Sequence, residues 1–373
     1  MSAIQEGSPV WFCSSIGKSD LGESLYEYIP AGSTKKVILH IGMHKTATTY
    51  IQHRLKRNTS LLSRSNIFYP SLRKTHLSLS KATRKRSFDD WQILLDQAEK
   101  KHSNLLISAE IFSIILPFKQ DGISSGHWLN NRLKQIGWEL NVIAFVRDQP
   151  SYLNSRYTQL VKRLHTLSDF ESYVHRVMHK ATESECDMMK LFSWIFEDPE
   201  IRHTFVPYGA KLLPIAPFTS SLDPFEQLIY ILNLPHSSHF KNLARVAANK
   251  QPGMIGVGLA RMIGTVLKKE HPHLFRSPKI HAIVRKKVEK LVEKNNWDSQ
   301  PFNAVTPSLL SEIRARYMST NQNFVKLAWN SDYSWMDIFG DSDSKNPAYL
   351  NEQSQADIKT YANRVINQLV GAS

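Results

Sequence analysis

The chain has 373 residues, of which 42% are hydrophobic, and its 47 Lys and Arg against 33 Asp and Glu give a formal net charge of +14. This length and composition are typical of a globular protein with a large core, and the lack of any apolar run of about 18 residues argues against a transmembrane helix. The positive charge favours anionic partners, such as nucleic acid, a phosphorylated cofactor, an acidic polymer or a membrane surface.

Cysteine usage and the first residues indicate the compartment. Cys13 and Cys186 are the only two cysteines, which excludes a disulfide framework and predicts a reducing environment. The opening MSAIQEGSPVWFCSS has no basic segment followed by an apolar one, so we expect no secretory signal. We therefore predict a cytoplasmic protein, with contact to the inner membrane surface left open.

Strands and helices alternate after a leader at residues 1–35. Apolar runs predict strands at 37–42, 105–108, 141–147 and 203–208, with a further short extended piece at 211–218. Helical patterns fall between and after them, at 48–56, 91–101, 128–136, 151–163 and 223–233. Strands separated by helices in this way predict parallel βαβ units.

The last third of the sequence is mostly helical. Apolar residues recur there at a spacing of about 3.6 residues and predict helices at 256–269, 279–295, 307–327 and 353–370. No internal repeat and no low-complexity linker divides the chain. We predict an α/β fold in which a parallel sheet is flanked by helices over residues 36–340, followed by a helical extension at 341–373.

A short polar turn, GMHKTATT over residues 42–49, joins the first strand to the first helix. Such a helix start points backbone N–H groups at one place, and the helix dipole favours an anion there. Thr48 and Thr49 can add hydroxyl donors, and Lys45 can reach past a phosphate to the group attached to it. The Walker pattern requires a glycine directly before the lysine, so Thr46 after Lys45 does not make a nucleoside triphosphatase loop.

The third strand ends in an arginine that forms part of a second candidate anion site. Arg147 is followed by Asp148-Gln149-Pro150, which suits the start of a helix, and Ser155 lies in that helix. Ligands of open α/β sheets bind at the carboxyl ends of the strands. Arg147 and Ser155 can therefore converge on one anion from two elements.

The turn at 42–49 resembles the 5′-phosphosulfate loop of sulfotransferases that use 3′-phosphoadenosine 5′-phosphosulfate (PAPS), in which Lys-Thr/Ser-Gly-Thr-Thr follows a buried strand. The resemblance implies that Lys45 contacts the bridging oxygen and the transferred sulfuryl group, and that Thr48 and Thr49 hold the 5′-phosphate. The loop residues His44, Thr46 and Ala47 complete this implied set. Ala47 replaces the usual glycine, which costs little if its φ is helical but is damaging if its φ must be positive.

The segment VRDQPSYLNSRYTQLVK is similar to the matching segment of bacterial sulfotransferase-domain proteins. That likeness implies that Arg147 and Ser155 are ligands of the 3′-phosphate. The resemblance covers residues 36–340 and implies a P-loop NTPase-like sulfotransferase fold. It also implies that Arg245 and Lys250, in KNLARVAANKQPG, belong to a loop that closes over the donor, although the Arg-Lys-Gly-x-x-Gly signature of the cytosolic small-molecule enzymes is missing.

Two residues are candidates for the base that removes the proton of the acceptor hydroxyl. Glu110 follows the second strand, in a segment that resembles an SSExF-like stretch of the same bacterial proteins. His76 resembles a family histidine that precedes a short apolar helix, and a neutral imidazole suits proton abstraction near pH 7. The sequence does not decide between them.

The resemblance implies sulfuryl transfer from PAPS to a hydroxyl group, with 3′,5′-bisphosphoadenosine as the product and no metal. The expected acceptor is a saccharide, glycolipid or polysaccharide, and the basic stretch 73–86, with six Lys and Arg and no Asp or Glu, can guide an anionic one. No nucleic-acid motif occurs there. Two alternatives stay open: a kinase-like phosphotransferase on the same topology, and a non-catalytic anion-binding module.

Overall fold

A computed structural model describes residues 35–70, 73–179, 185–212, 223–234, 240–241, 252–340 and 350–371. Three expectations concern residues outside these ranges. They are the leader up to residue 34, most of the extended piece at 211–218, and the closing loop with Arg245 and Lys250.

The centre of the fold is a five-stranded sheet in which all neighbouring strands are parallel. The strands of the chain are β1 (Lys35–Gly42), β2 (Ile67–Phe68), β3 (Asn104–Ser108), β4 (Lys119–Gln120), β5 (Ile123–Ser124), β6 (Trp138–Arg147) and β7 (Arg202–Tyr208). The sheet order is β2-β3-β1-β6-β7, and β4 and β5 form a separate antiparallel hairpin. The predicted α/β fold with a parallel sheet flanked by helices is confirmed.

Helices connect these strands and make up most of the remaining described chain. They are α1 (Thr48–Arg57), α2 (Thr59–Arg64), α3 (Arg73–Arg84), α4 (Asp89–Lys100), α5 (Phe112–Ile115), α6 (Ser125–Gln135), α7 (Gln149–Lys162), α8 (Phe170–His179), α9 (Met188–Phe196), α10 (Pro224–Ile231), α11 (Gly253–Glu270), α12 (Pro272–Phe275), α13 (Pro278–Lys294), α14 (Pro307–Trp329), α15 (Trp335–Phe339) and α16 (Glu352–Val370). None of the described helices is both long and apolar enough to cross a membrane.

The chain divides into two compact units that interleave along the sequence. The described residues within 1–147, 187–244 and 320–340 form the first unit, which contains the sheet. The described residues within 148–186, 245–319 and 341–373 form the second unit, which is helical. The predicted domain boundaries around residues 36–340 stay a prediction.

The core of the first unit lies on both faces of the sheet. In β1, Val37 and Leu39 on one face and Ile38 and His40 on the other are all buried, as expected for a parallel strand covered on both sides. The end of α14 packs against β7, where the rings of Phe324 and Phe205 are 4.9 Å apart. The aromatic run near the end of the predicted domain therefore has a structural role.

The second unit is built around α11, which packs against α7, α13 and α16. Gly258 allows α16 to approach closely, because a Cβ at that position would lie 2.6 Å from Cδ1 of Ile358. Ile358, Ala362 and Val365 of α16 are buried. The final helix thus forms part of the core of this unit.

Candidate anion-binding site at the carboxyl edge of the sheet

The sheet order places a switch point beside β1. The chain leaves β1 toward β2 on one side and leaves β6 toward β7 on the other, although β1 and β6 are hydrogen-bonded neighbours. In open α/β sheets, ligands bind beyond the carboxyl ends of the strands at such a point. The loop over residues 43–47 lies directly after β1, at this edge.

The loop is held tightly against β6 and folded on itself. The backbone N–H of Met43 donates to the carbonyl oxygen of Phe145 at 3.1 Å, and the Thr46 hydroxyl donates to the carbonyl oxygen of Met43 at 2.7 Å. A Cβ at Gly42 would lie 2.8 Å from the Thr46 hydroxyl oxygen, so a larger residue at the end of β1 would displace that hydroxyl. Thr46 therefore shapes the loop, and its hydroxyl is already occupied.

Two residues of this loop adopt left-handed backbone conformations without being glycine. Lys45 has φ 72°, and Ala47, at the N-cap position of α1, has φ 59° and ψ 13°. The loop thus has the conformation that glycine favours at position 47, and alanine adopts it at a cost of roughly 1–2 kcal/mol. Backbone strain of this kind occurs preferentially at functional sites.

Ala47→Gly is expected to raise the free energy of unfolding by about 1 kcal/mol, because glycine removes the steric cost of a positive φ. The greater flexibility that glycine gives the unfolded chain offsets only part of this gain. Denaturant unfolding checks this value. Ala98→Gly, at a fully buried position inside α4, is the matched control and is expected to destabilise the protein. A loss of stability with Ala47→Gly would contradict the left-handed conformation.

The start of α1 offers hydrogen-bond donors to an anion. Thr48 is only 2% exposed, and its hydroxyl has no hydrogen-bond partner among the described residues. Thr49 beside it is half-buried, and the first turn of the helix contains no acidic residue. The first backbone N–H groups of a helix lack intrahelical acceptors, so they and Thr48 present donors where the dipole favours negative charge.

Arg147 braces this loop from the end of β6. Its Nη1 donates to the carbonyl oxygen of Lys45 at 2.9 Å, and its guanidinium carbon lies 5.6 Å from the ring centroid of Tyr208 on β7. The fold therefore brings the Arg147 guanidinium to the backbone of Lys45, although the two residues are far apart in sequence. Ser155 is buried in α7, in the second unit, and its expected convergence with Arg147 stays a prediction.

His44 and Glu110 form a pair at the same edge. His44 Nδ1 lies 3.2 Å from Oε1 of Glu110, with the two side chains 13% and 34% exposed. His44 follows β1 and Glu110 follows β3, which are neighbours in the sheet. Sequence reasoning named both residues but not their contact, because the contact depends on the strand order.

His76 is held in a way that does not suit a base. Its Nδ1 lies 2.8 Å from the carbonyl oxygen of Ser108, and its Nε2 lies 2.7 Å from that of Pro70. Both ring nitrogens thus face backbone carbonyl oxygens, so neither is directed at an acceptor hydroxyl. In this arrangement His76 ties α3 to β3, and Glu110 with His44 is the better candidate.

His40, in the middle of β1, is a buried titratable residue that sequence reasoning missed. Its Nδ1 lies 2.7 Å from the hydroxyl oxygen of Ser108 on β3. Burial lowers the pKa of His40 to about 4, and the negative charge of Glu110 opposes that shift only in part. His40 is therefore neutral near pH 7. In the sequence, only its position within an apolar strand indicated that it would be buried.

The pKa of His40 predicts an acid-dependent loss of stability. As the pH falls from 6.5 toward 4, the unfolded imidazole binds a proton that the folded one, with its pKa lowered to about 4, does not, so the free energy of unfolding decreases. At about 1.4 kcal/mol per pKa unit, the full loss is about 3 kcal/mol. Urea unfolding between pH 7 and 4 is expected to show a weaker pH dependence in His40→Gln than in the wild type. His53→Gln, at an exposed position on α1, should keep the wild-type slope; equal slopes for all three proteins would contradict the assignment.

Comparisons with models of protein families, with curated proteins and with solved structures found no match for this chain. The sequence motifs and the geometry of the loop are thus the grounds for a function.

Proposed function

We propose that this protein is a PAPS-dependent sulfotransferase that moves the sulfuryl group to a hydroxyl of a saccharide, glycolipid or polysaccharide. The observation that carries the proposal is the hydrogen bond from Arg147 to the carbonyl oxygen of Lys45. It lies just before α1, at the switch point of the sheet. A strand order of β2-β3-β1-β6-β7 and the motif Lys45-Thr46-Ala47-Thr48-Thr49 also support it. The proposed compartment is the cytoplasm.

The loop has the donor set that a 5′-phosphosulfate requires. The Thr48 hydroxyl, which has no partner among the described residues, and the amides at the start of α1 suit the 5′-phosphate. Lys45 is half-buried, and its ammonium group suits the bridging oxygen, where negative charge builds as the sulfur–oxygen bond breaks. Arg147 is assigned to the 3′-phosphate, together with Ser155 on the resemblance alone.

The pair His44 and Glu110 is the proposed base. Glu110 orients the imidazole, and the acceptor hydroxyl gives its proton to this pair as its oxygen bonds to sulfur. The bond from sulfur to the bridging oxygen then breaks, and 3′,5′-bisphosphoadenosine leaves with the electron pair. Lys45 stabilises that leaving group, and the step needs no metal.

An anionic acceptor fits the charge on α3. Lys81 and Arg84 of this helix, and Lys85 directly after it, are exposed, and they lie in the stretch that has no acidic residue. Exposed cations of one sign attract anionic substrates and raise the rate of association. We therefore place glycans that already bear sulfate or carboxylate groups first among the acceptors.

A screen with radiolabelled PAPS against saccharides, glycolipids and phenols tests the proposal. The expected result is label in a saccharide or glycolipid product with the wild-type protein. Glu110→Gln is the matched variant: it should still bind 3′,5′-bisphosphoadenosine but transfer label far more slowly, because it cannot support the proton transfer. Label transfer by Glu110→Gln at the wild-type rate would remove the pair from the mechanism, and absence of labelled product from every class would defeat the proposed activity.

A further inference from the structure

The second unit contains a groove that none of the motifs above involves. Two adjoining pockets of about 540 and 500 Å³ share Leu167, Ser168 and Lys268 in their linings. The larger one is also lined by Thr166 and Arg176, and the smaller by Lys269. We call the two together the Arg176 groove. Each pocket has a volume in the range of about 300–1,000 Å³ that is usual for small-ligand sites.

The loop that forms one wall of the groove is built with some strain. Leu164 has φ 57°, and the N–H groups of Leu164 and His165 close the end of α7 on the carbonyl oxygens of Val161 and Leu160. This helix end usually requires glycine, and a leucine there costs roughly 1–2 kcal/mol. In this conformation the Leu164 side chain lines the larger pocket.

Gly264 of α11 allows this loop to pack closely against the helix. A Cβ at Gly264 would lie 2.5 Å from Cδ2 of Leu167 and 3.1 Å from Cδ2 of Leu164. The missing side chain therefore lets the loop lie directly on α11, beside Lys268 at the end of that helix. The loop is thus held on α11, and Lys268 lies one turn further along that helix.

Arg176 holds the polar part of the wall. Its Nη2 lies 3.2 Å from the hydroxyl oxygen of Thr166 and 3.1 Å from that of Ser168, and these two oxygens are 3.0 Å apart. Hydroxyl groups are neutral, so these hydrogen bonds orient the guanidinium without neutralising its charge. Arg176 is exposed and forms no ion pair with a described residue.

The electrostatic environment of the groove is positive. None of the described residues that line it is Asp or Glu, and neither Lys268 nor Lys269 forms an ion pair with a described residue. The pKa of His165, which also lines the groove, is lowered by burial and then by the positive charges of Arg163, His281 and Arg156. The nearby carboxylate of Asp169 accepts hydrogen bonds from the backbone and hydroxyl of Ser172.

We infer that the Arg176 groove binds an anionic saccharide, with its sulfate or phosphate group between Arg176 and Lys268. The volume exceeds what a lone inorganic anion fills, and the wall combines hydroxyl groups with apolar side chains such as Leu164 and Phe275. A sugar ring presents both hydroxyls and apolar C–H faces, so it matches this lining. This inference does not rest on the proposed sulfuryl transfer, because the second unit carries the groove and the first unit carries the loop.

Calorimetry with glucose 6-sulfate, glucose 6-phosphate and glucose tests the inference on the full chain. Both anionic sugars are expected to bind the wild type, and glucose at least about tenfold more weakly, since a charge-assisted hydrogen bond contributes about 1.5–3 kcal/mol. The preferred anionic sugar identifies the natural group as sulfate or phosphate. Arg176→Gln and Lys268→Gln, both at exposed positions, are each expected to raise Kd about tenfold, and the Lys268 variant leaves the hydrogen bonds of Arg176 to Thr166 and Ser168 in place.

Lys290→Gln, at an exposed position of α13 outside the groove, is the matched control and should keep the wild-type Kd. Affinity for 3′,5′-bisphosphoadenosine should be the same in all of these variants, which separates this test from that of the loop. Lack of binding by both anionic sugars would overturn the inference. Equal affinity for glucose, or wild-type affinity in both groove variants, would overturn it as well.

Discussion

Lys45→Met is expected to reduce the rate of sulfuryl transfer from PAPS by about 10²–10³-fold, the usual effect of removing one preorganised electrostatic donor. Lys45 lies at the loop after β1, half-buried, with its carbonyl oxygen fixed by Arg147. Its charge matters most when negative charge develops on the leaving phosphate. Affinity for 3′,5′-bisphosphoadenosine should fall much less than the rate, because the product lacks the transferred group.

Methionine keeps the length of the lysine stem and leaves the backbone conformation with φ 72° no easier than before. The comparison therefore isolates the ammonium group. Lys56→Met, at an exposed position later in α1, is the matched control and should transfer at the wild-type rate. A full rate in Lys45→Met would assign the charge stabilisation to another residue.

Arg147→Ala is expected to weaken binding of 3′,5′-bisphosphoadenosine by about 1.5–3 kcal/mol, or roughly 10–150-fold, as measured by calorimetry. Two effects act together. The variant loses a charge at the proposed 3′-phosphate site, and it loses the hydrogen bond that holds the carbonyl oxygen of Lys45.

Arg147→Lys separates these two effects. Lysine keeps the charge but not the planar fork that bonds to Lys45 and lies against Tyr208. We expect an affinity between those of the wild type and Arg147→Ala. Arg132→Ala, at an exposed position of α6, is the control for a lost positive charge. Equal affinity in the wild type and Arg147→Ala would defeat the 3′-phosphate assignment.

Much of the fold could be predicted because its strands have a plain pattern. The cores of β1, β3, β6 and β7 are short apolar runs between helical segments, and such runs indicate buried parallel strands. β2 has only two residues, Ile67 and Phe68, and its pairing with β3 defines it more than its composition does. The interleaved units could not be predicted, because they depend on which helices pack together rather than on any linker.

The sequence predicted which residues belong to the candidate site, but not which of them contact one another. The order of amino acids predicts an anion-binding helix start after β1, because that requires only a strand, a polar turn and a helix. The contact of His44 with Glu110 depends on the order β3-β1 in the sheet, and the carbonyl partners of His76 depend on how α3 packs beside β3. The left-handed φ of Ala47 is a property of the folded loop, since alanine itself disfavours it.

The most direct test of the central claim compares two nucleotides by thermal shift and calorimetry. If the loop at 43–49 binds the 5′-phosphate of a PAPS-type donor, 3′,5′-bisphosphoadenosine will stabilise the protein and bind it with magnesium removed, and ATP with magnesium will not stabilise it. Stabilisation by ATP with magnesium, without any by 3′,5′-bisphosphoadenosine, would contradict the sulfotransferase assignment and favour the kinase-like alternative.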